Sequence, residues 1–264
     1  MNLQLENKLA LVSGSTAGIG FAIAKALATE GACVIVNGRT EARVREAVAS
    51  IHADVPSAKL EALAVDLSKA DAAAEATRRY PDVDILVNNL GVYAPKAFEE
   101  ITDTDWVSII ETNFLSGVRL SRHYLPRMRA ANWGRIIFIS SESAVNIPVE
   151  MVHYGVTKTM QVALARGLAQ STAGTGVTVN SVLAGPTRSE GVETFLADIA
   201  KTKNITVADV EQEFFRTVRP SSLLQRFART DEVAPLVTFL ASPLSSATNG
   251  AALRAEGGVV TSIL

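Results

Sequence analysis

A single cysteine, Cys33, stands in a chain of 264 residues. An internal disulfide is therefore excluded, and the thiol content fits a reducing compartment. Cys33 lies in the apolar run ACVIV, which predicts a buried structural thiol. Histidine is scarce as well. His52, His123 and His153 have neither metal-ligand spacing nor cysteine companions, so no metal is expected. A charge excess is also missing: 25 Lys and Arg oppose 27 Asp and Glu, for a net charge of −2. Without a basic face, a nucleic-acid partner is not expected. The longest uncharged run, ending at Thr187, is broken by glycines, Asn180 and several Ser and Thr, so no membrane span is expected. The opening MNLQLENKLALVSG lacks the basic-then-apolar layout of a secretion signal. These absences together predict a cytoplasmic protein.

Present instead is enough apolar material for one large core. Hydrophobic residues make up 48% of the chain, so residues 1–264 are read as a single domain. Short β-rich runs occupy Leu9–Val12, Val34–Asn37, Leu60–Val65, Ile85–Asn88, Ile136–Ser140, Val177–Val182 and Ala251–Arg254. Helical stretches alternate with them at Ile19–Thr29, Glu41–Ile51, Asp71–Tyr80, Thr104–Arg129, Tyr154–Ala173 and Asp231–Leu240. Continuous apolar strands alternating with helices predict an α/β fold: a doubly wound parallel sheet of about seven strands with helices on both faces. Residues 186–229 break the rhythm. They read as polar, partly helical and strandless, a long insertion of the kind that forms a lid or binding loop.

The first strand runs into SGSTAGIG and then a helix. Gly14, Gly18 and Gly20, with Ser15, Thr16 and Ile19 between them, permit a tight turn and close backbone approach to a pyrophosphate at a helix N-terminus. The second strand ends in VNGRT, where Arg39 takes the place of a ribose-binding acid. Guanidinium holds a 2′-phosphate that an acid would repel, so NADP(H) is expected over NAD(H), unless Arg39 is only a solvated surface residue. Asp66 and Leu67 end the third strand. Asp66 could accept from an adenine amino group or cap the next turn. Asn88, Asn89 and Gly91 sit where the fourth strand ends. They could touch a cofactor or tie strands together.

Tyr154 and Lys158, in YGVTK, share a helix face at a four-residue spacing. A phenol with its usual pKa of about 10 is a poor proton shuttle near neutrality. A neighbouring ammonium favours the phenolate and lowers that value. Tyr154 could then give a proton to a carbonyl oxygen, or take one in reverse. Ser141, just after RIIFIS, could hold that oxygen beside the phenol.

SGSTAGIG, NNLG, Asn113 in ETNF, Ser141 in SSES, YGVTK and NSVLAG occur in this order. In this the chain resembles the short-chain dehydrogenase/reductase family over nearly its whole length. The resemblance implies a Rossmann-type fold and a tetrad of Asn113, Ser141, Tyr154 and Lys158. In that tetrad Tyr154 is acid/base, Lys158 lowers its pKa and binds the nicotinamide ribose, and Ser141 orients the carbonyl. Asn113 kinks its helix and holds a water leading to Lys158. Gly185 and Thr187 fall where the family binds the carboxamide. Leu90 stands for the family's Ala, and Glu256 for its Asp. The family also implies a homotetramer or homodimer built on the helices Thr104–Arg129 and Tyr154–Ala173, with Ala163, Ala165, Gly167 and Ala169 allowing close approach.

The expected function is NADP(H)-dependent hydride transfer to a carbonyl compound. Phe195, Leu196, Phe214, Phe215, Leu223 and Leu224 suggest an apolar wall, which favours a 3-oxoacyl thioester, on acyl carrier protein or coenzyme A, or a hydrophobic ketone. Arg119, Arg122, Arg127, Arg129 and Arg135 could steer an acidic carrier protein or form a solvated helix face. An alcohol dehydrogenase oxidising a diol or hydroxysteroid is the alternative within enzymes. A dinucleotide-binding regulator without turnover is the alternative outside them.

Overall fold

In the computed structural model, residues 1–263 are described. Strands and helices alternate from the start: β1 (Leu9–Val12), α1 (Gly18–Thr29), β2 (Cys33–Gly38), α2 (Glu41–Asp54), β3 (Lys59–Ala64), α3 (Ala70–Arg79) and β4 (Ile85–Asn88). A long helical rod follows, made of α4 (Asp103–Ile110), a π-helical turn (Glu111–Leu115) and α5 (Ser116–Ala130). Then come β5 (Gly134–Ser141), α6 (Val152–Gln170) and β6 (Val177–Ala184). The remainder is β7 (Thr187–Arg188), α7 (Glu190–Lys203), α8 (Val207–Thr217), β8 (Ala228–Arg229), α9 (Thr230–Ala241) and β9 (Ala252–Ala255).

Seven strands form one sheet in the order β3-β2-β1-β4-β5-β6-β9, parallel throughout. Side chains alternate across it. Val12, Val34 and Val36 pack with Ile23, Leu27 and Val237 on one face, whereas Leu11, Ile35 and Phe138 pack with Leu120, Tyr124 and Ala165 on the other. This double burial is why the strands read as unbroken apolar runs. The chain winds outward in both directions from β1 and β4. Their carboxyl ends therefore open a crevice between diverging connections.

Residues 186–229 are not strandless. Thr187–Arg188 pairs with Ala228–Arg229 in a two-residue parallel ladder. Two pairs are too short to leave a periodic signal. The helices between them close on their own small core of Leu196, Ala200, Val210, Phe215 and Phe227.

Three other expectations change. Cys33 opens β2 at the end of the sheet and is only partly buried. Arg135 is not on the basic helix face. It is 1% exposed and donates to the carbonyls of Ser242, Gly134 and Gly176 while lying over Trp133. Ala165 and Ala169 belong to the core, so only Ala163 and Gly167 of that small-residue row face outward.

Asn37 is a polar tie that the apolar strand pattern hides. Its Oδ1 accepts from the Gly14 N–H at 3.0 Å, and its Nδ2 donates to the Leu63 and Val65 carbonyls at 3.0 Å each. One buried amide thus fixes the glycine turn to β2 and β3. Asn37→Ala removes the side-chain partner of one buried and two part-buried backbone groups and should cost about 1–3 kcal/mol. Urea denaturation should show a lower midpoint at unchanged slope, and an unchanged midpoint would refute this role.

Candidate active site

A cavity of about 650 Å³ opens at the carboxyl ends of β1, β4, β5 and β6. Its walls come from the glycine turn, the start of α6 and residues 184–219.

Gly14 and Gly18 have φ of +63° and +59°, the left-handed region in which a side chain is strained. A Cβ on Gly20 would lie 2.4 Å from the Gly14 carbonyl oxygen, so the turn closes only without one. Ala17 caps α1 and offers no side-chain acceptor, and no acid occupies the first turn. The N–H groups of that turn therefore point outward with the positive end of the helix dipole, a setting made for an anion. Ser15 and Thr16 serve the turn itself. The Ser15 hydroxyl donates to Val12 and accepts from the Asn37 N–H, and Thr16 fills the space left by Gly38. Ile19 lines the cavity.

Arg39 follows β2, exposed, with no ion pair among the described residues. Asp66 caps the next turn through Oδ1, which accepts from Ser68 N and Oγ at 3.1 and 2.8 Å. Leu67 is a core residue, 1% exposed, so its side chain contributes packing rather than a cavity wall. Asn89 lines the cavity but spends its Nδ2 on the Ser13 and Gly14 carbonyls, both at 3.0 Å. Leu90 rests on Gly14, 3.2 Å from where a Cβ would stand. Gly185 lies against the backbone of Glu256, where a Cβ would approach an oxygen to 2.5 Å. Thr187 turns its hydroxyl to the Gly185 carbonyl. Glu256 caps its own turn, accepting from the Val259 and Val260 N–H groups.

Ser141, Tyr154 and Lys158 come together on one wall. The Ser141 hydroxyl accepts from the Ser143 N–H at 3.1 Å. Lys158 is 5% exposed, donates to the Ile139 carbonyl at 2.8 Å, and holds its nitrogen 5.6 Å from the Tyr154 ring centre. Gly91 lies beside it: a Cβ there would sit 3.4 Å from Nζ, an ordinary van der Waals contact. Burial pulls the Lys158 ammonium down to about 8. Burial also pushes the Tyr154 phenol up to about 12, although the Ser141 hydroxyl pulls the other way. The expected lowering by Lys158 is not seen: desolvation, joined by Glu142 and Tyr93, raises the phenol, and only Ser141 and Arg219 act against it.

Asn113 is buried in the π-helical turn, away from the cavity surface. Its Oδ1 accepts from Val92 N at 2.8 Å, and its Nδ2 donates to Val92 O and Thr157 Oγ1. Its own carbonyl accepts from Gln161 Nε2 at 2.6 Å. Asn113 therefore clamps the Gly91–Val92 loop to α6, the helix that carries Tyr154 and Lys158. The π turn is the helix irregularity expected at this residue.

Of the apolar residues expected in the wall, Phe195, Leu196 and Phe214 line the cavity; Phe215 fills the small core, and Leu223 and Leu224 lie elsewhere. His153 is buried edge-on against Trp106. Three wall residues have no sequence signal. Tyr93 meets Tyr154 edge-on at 6.3 Å. Glu142 and Arg219 form a nearly buried ion pair in the cavity wall, Nε to Oε1 at 2.8 Å. Glutamate beside Ser141 and arginine after α8 look like surface charges until the fold brings them together.

The model of a family described as short chain dehydrogenase matches residues 8–200. An uncharacterised oxidoreductase of Bacillus subtilis, YvaG, is 49% identical over 263 residues, with both chains fully covered. The 3-oxoacyl-acyl-carrier-protein reductase of Aquifex aeolicus is 30% identical, covering 98% of this chain and all of its own. L-sorbose reductase of Gluconobacter frateurii, solved with NADPH and L-sorbose, superposes over the full length of both chains with a TM-score of 0.93 at 27% identity. By its matched motifs, its sheet and its relatives, the chain belongs to the short-chain dehydrogenase family and is one of its oxidoreductases.

Proposed function

We propose that this protein is an NADP(H)-dependent carbonyl reductase in which Tyr154 passes the proton. The observation that carries this reading is the convergence of Ser141, Tyr154 and Lys158 on the cavity that also holds the uncapped start of α1. The glycine turn and the first N–H groups of α1 would hold the pyrophosphate, and Arg39 the 2′-phosphate. Gly185 and Thr187 would meet the carboxamide end, and Asp66 keeps Oδ2 for the adenine. Structural relatives named for NADPH support the same cofactor choice. The nicotinamide supplies the hydride.

The chain's own groups account for the proton. A phenol near 12 stays protonated at neutral pH, so it is a donor to a carbonyl oxygen that gains charge. The Ser141 hydroxyl holds that oxygen in place. The Lys158 ammonium, present below about 8, stabilises negative charge left on Tyr154 and binds the ribose. Asn113 keeps α6 in register with the Gly91 loop. Residues 186–229 would serve as the lid, and Phe195, Leu196 and Phe214 would give the substrate an apolar wall. This wall, and the likeness to a 3-oxoacyl reductase, support a 3-oxoacyl thioester or a hydrophobic ketone. Assembly into a homodimer or homotetramer would use the outward row that includes Ala163 and Gly167.

Three outcomes follow from these roles. Tyr154→Phe should lower kcat for acetoacetyl-thioester or ketone reduction by about 10²–10⁴-fold, with NADPH binding by fluorescence unchanged. Retained turnover would end the proposed proton role. Lys158 loses its charge as pH rises through about 8, while Tyr154 does not titrate there. Reductive kcat/KM should therefore fall about tenfold per pH unit above that point, and a flat profile would contradict it. Arg39→Ala should weaken NADPH about 10–100-fold and leave NADH unaffected. Equal effects on both would remove the 2′-phosphate role.

A further inference from the structure

Tyr93 is 42% exposed and lines the cavity beside Tyr154, its ring edge-on to that of Tyr154 with centres 6.3 Å apart. Its hydroxyl lies 3.5 Å from where a Cβ would stand on Gly191, in the first turn of α7. The phenol thus joins the loop after β4 to the start of α7, and both line the cavity. Among the described residues the Tyr93 hydroxyl has no hydrogen-bond partner. Other wall hydroxyls are committed. Ser140 donates to the Lys158 carbonyl, Thr187 to that of Gly185 and Thr217 to that of Glu213, while Ser189 caps α7. The wall cations are held as well: Lys158 by the Ile139 carbonyl, Lys203 by Glu213, and Arg219 by Glu142 and Glu150. Burial keeps the Tyr93 phenol above its ordinary value, so near neutrality it is an uncharged donor.

Resting on the reductase reading above, we infer that Tyr93 sets specificity: its hydroxyl donates to a second, uncharged acceptor oxygen of the substrate. The preferred substrate is then a ketone with a further carbonyl close by, as in a 3-oxo ester or thioester. Tyr93 packs on the ring that delivers the proton, so a substrate held by Tyr154 lies within its reach. A plain hydrophobic ketone offers the hydroxyl nothing in exchange for water once it is covered. Charge decides the kind of acceptor. Glu142, Glu150, Glu190 and Glu213 line the cavity against Lys158, Lys203 and Arg219, so a free carboxylate meets more repulsion than a carbonyl does.

The test follows NADPH oxidation with ethyl acetoacetate and with 2-heptanone, chains of equal length of which only the first has a second carbonyl. Tyr93→Phe keeps the ring contact with Tyr154 and removes the donor. It should lower kcat/KM for ethyl acetoacetate about 5–50-fold and change that for 2-heptanone less than about twofold. Comparing each ketone with itself cancels their difference in intrinsic reactivity, and NADPH binding by the variant checks that it is folded. Wild type should also prefer ethyl acetoacetate to acetoacetate by about tenfold or more. Equal losses on both ketones would make Tyr93 a support for Tyr154 and overturn the contact, as would no loss on the ester. A preference for acetoacetate would overturn the uncharged acceptor. Each of these leaves the reductase reading intact. Absence of Tyr154-dependent turnover of either ketone, with NADPH bound, would overturn that reading and the contact with it.

Discussion

The ammonium of Lys158 lies almost out of reach of water, and a 2.8 Å hydrogen bond to the Ile139 carbonyl holds it there. Much of the site is arranged around this one buried charge. The ladder of β5 with β4 stops at Phe138, one residue before Ile139, while β6 pairs with β5 as far as Ser141 and keeps the strand rigid up to the cavity. Gly91 packs directly against the ammonium. The Ser140 hydroxyl donates to the Lys158 carbonyl and ties the turn of α6 to the same strand. Desolvation acts on lysine and tyrosine in opposite directions, lowering one to about 8 and raising the other to about 12. The result is a cation that is easily discharged next to a phenol that keeps its proton.

Positioning of this pair reaches back to the long rod of α4 and α5. A regular helix cannot turn the Asn113 amide and its carbonyl toward two different neighbours. The π-helical turn does so, giving the amide to Val92 and Thr157 and the carbonyl to Gln161. The kink is therefore a joint between the loop after β4 and α6. Asn89 performs a similar task one strand away, joining the loop after β4 to the glycine turn. Polar side chains at the strand ends spend most of their capacity on holding backbone, so the cavity's shape is fixed before any ligand arrives.

The segment 186–229 is held by charge as well as by its own core. Arg219 anchors its end to Glu142 and Glu150, Arg43 on α2 reaches Glu190 at 2.9 Å, and Arg188 pairs with Glu211. Exposed pairs of this kind contribute little, whereas breaking the buried Arg219–Glu142 pair would leave an uncompensated charge in the cavity wall. Its two-carboxylate surroundings give the wall a sign that the apolar residues facing it do not have.

Strand and helix order, the glycine turn and the Tyr154–Lys158 spacing were legible in the sequence, because each rests on a local pattern. Apolar runs report double burial, glycines report positive φ, and a four-residue interval reports a shared helix face. The boundaries of β1 and β4 coincide with their apolar runs for the same reason. What the sequence alone could not decide depends on distant partners. Asn37 reads as a strand end and Arg135 as part of a basic helix face, and no motif marks Glu142. Only the sheet order, which sets β1 between β2 and β4, makes the first a cross-tie; only the packing of β5 against α9 buries the second. The return of the chain after α8 brings Arg219 to Glu142, 77 residues away. The direction of the Tyr154 shift was decided there too, since desolvation is a property of everything packed around a group and not of its neighbours along the chain.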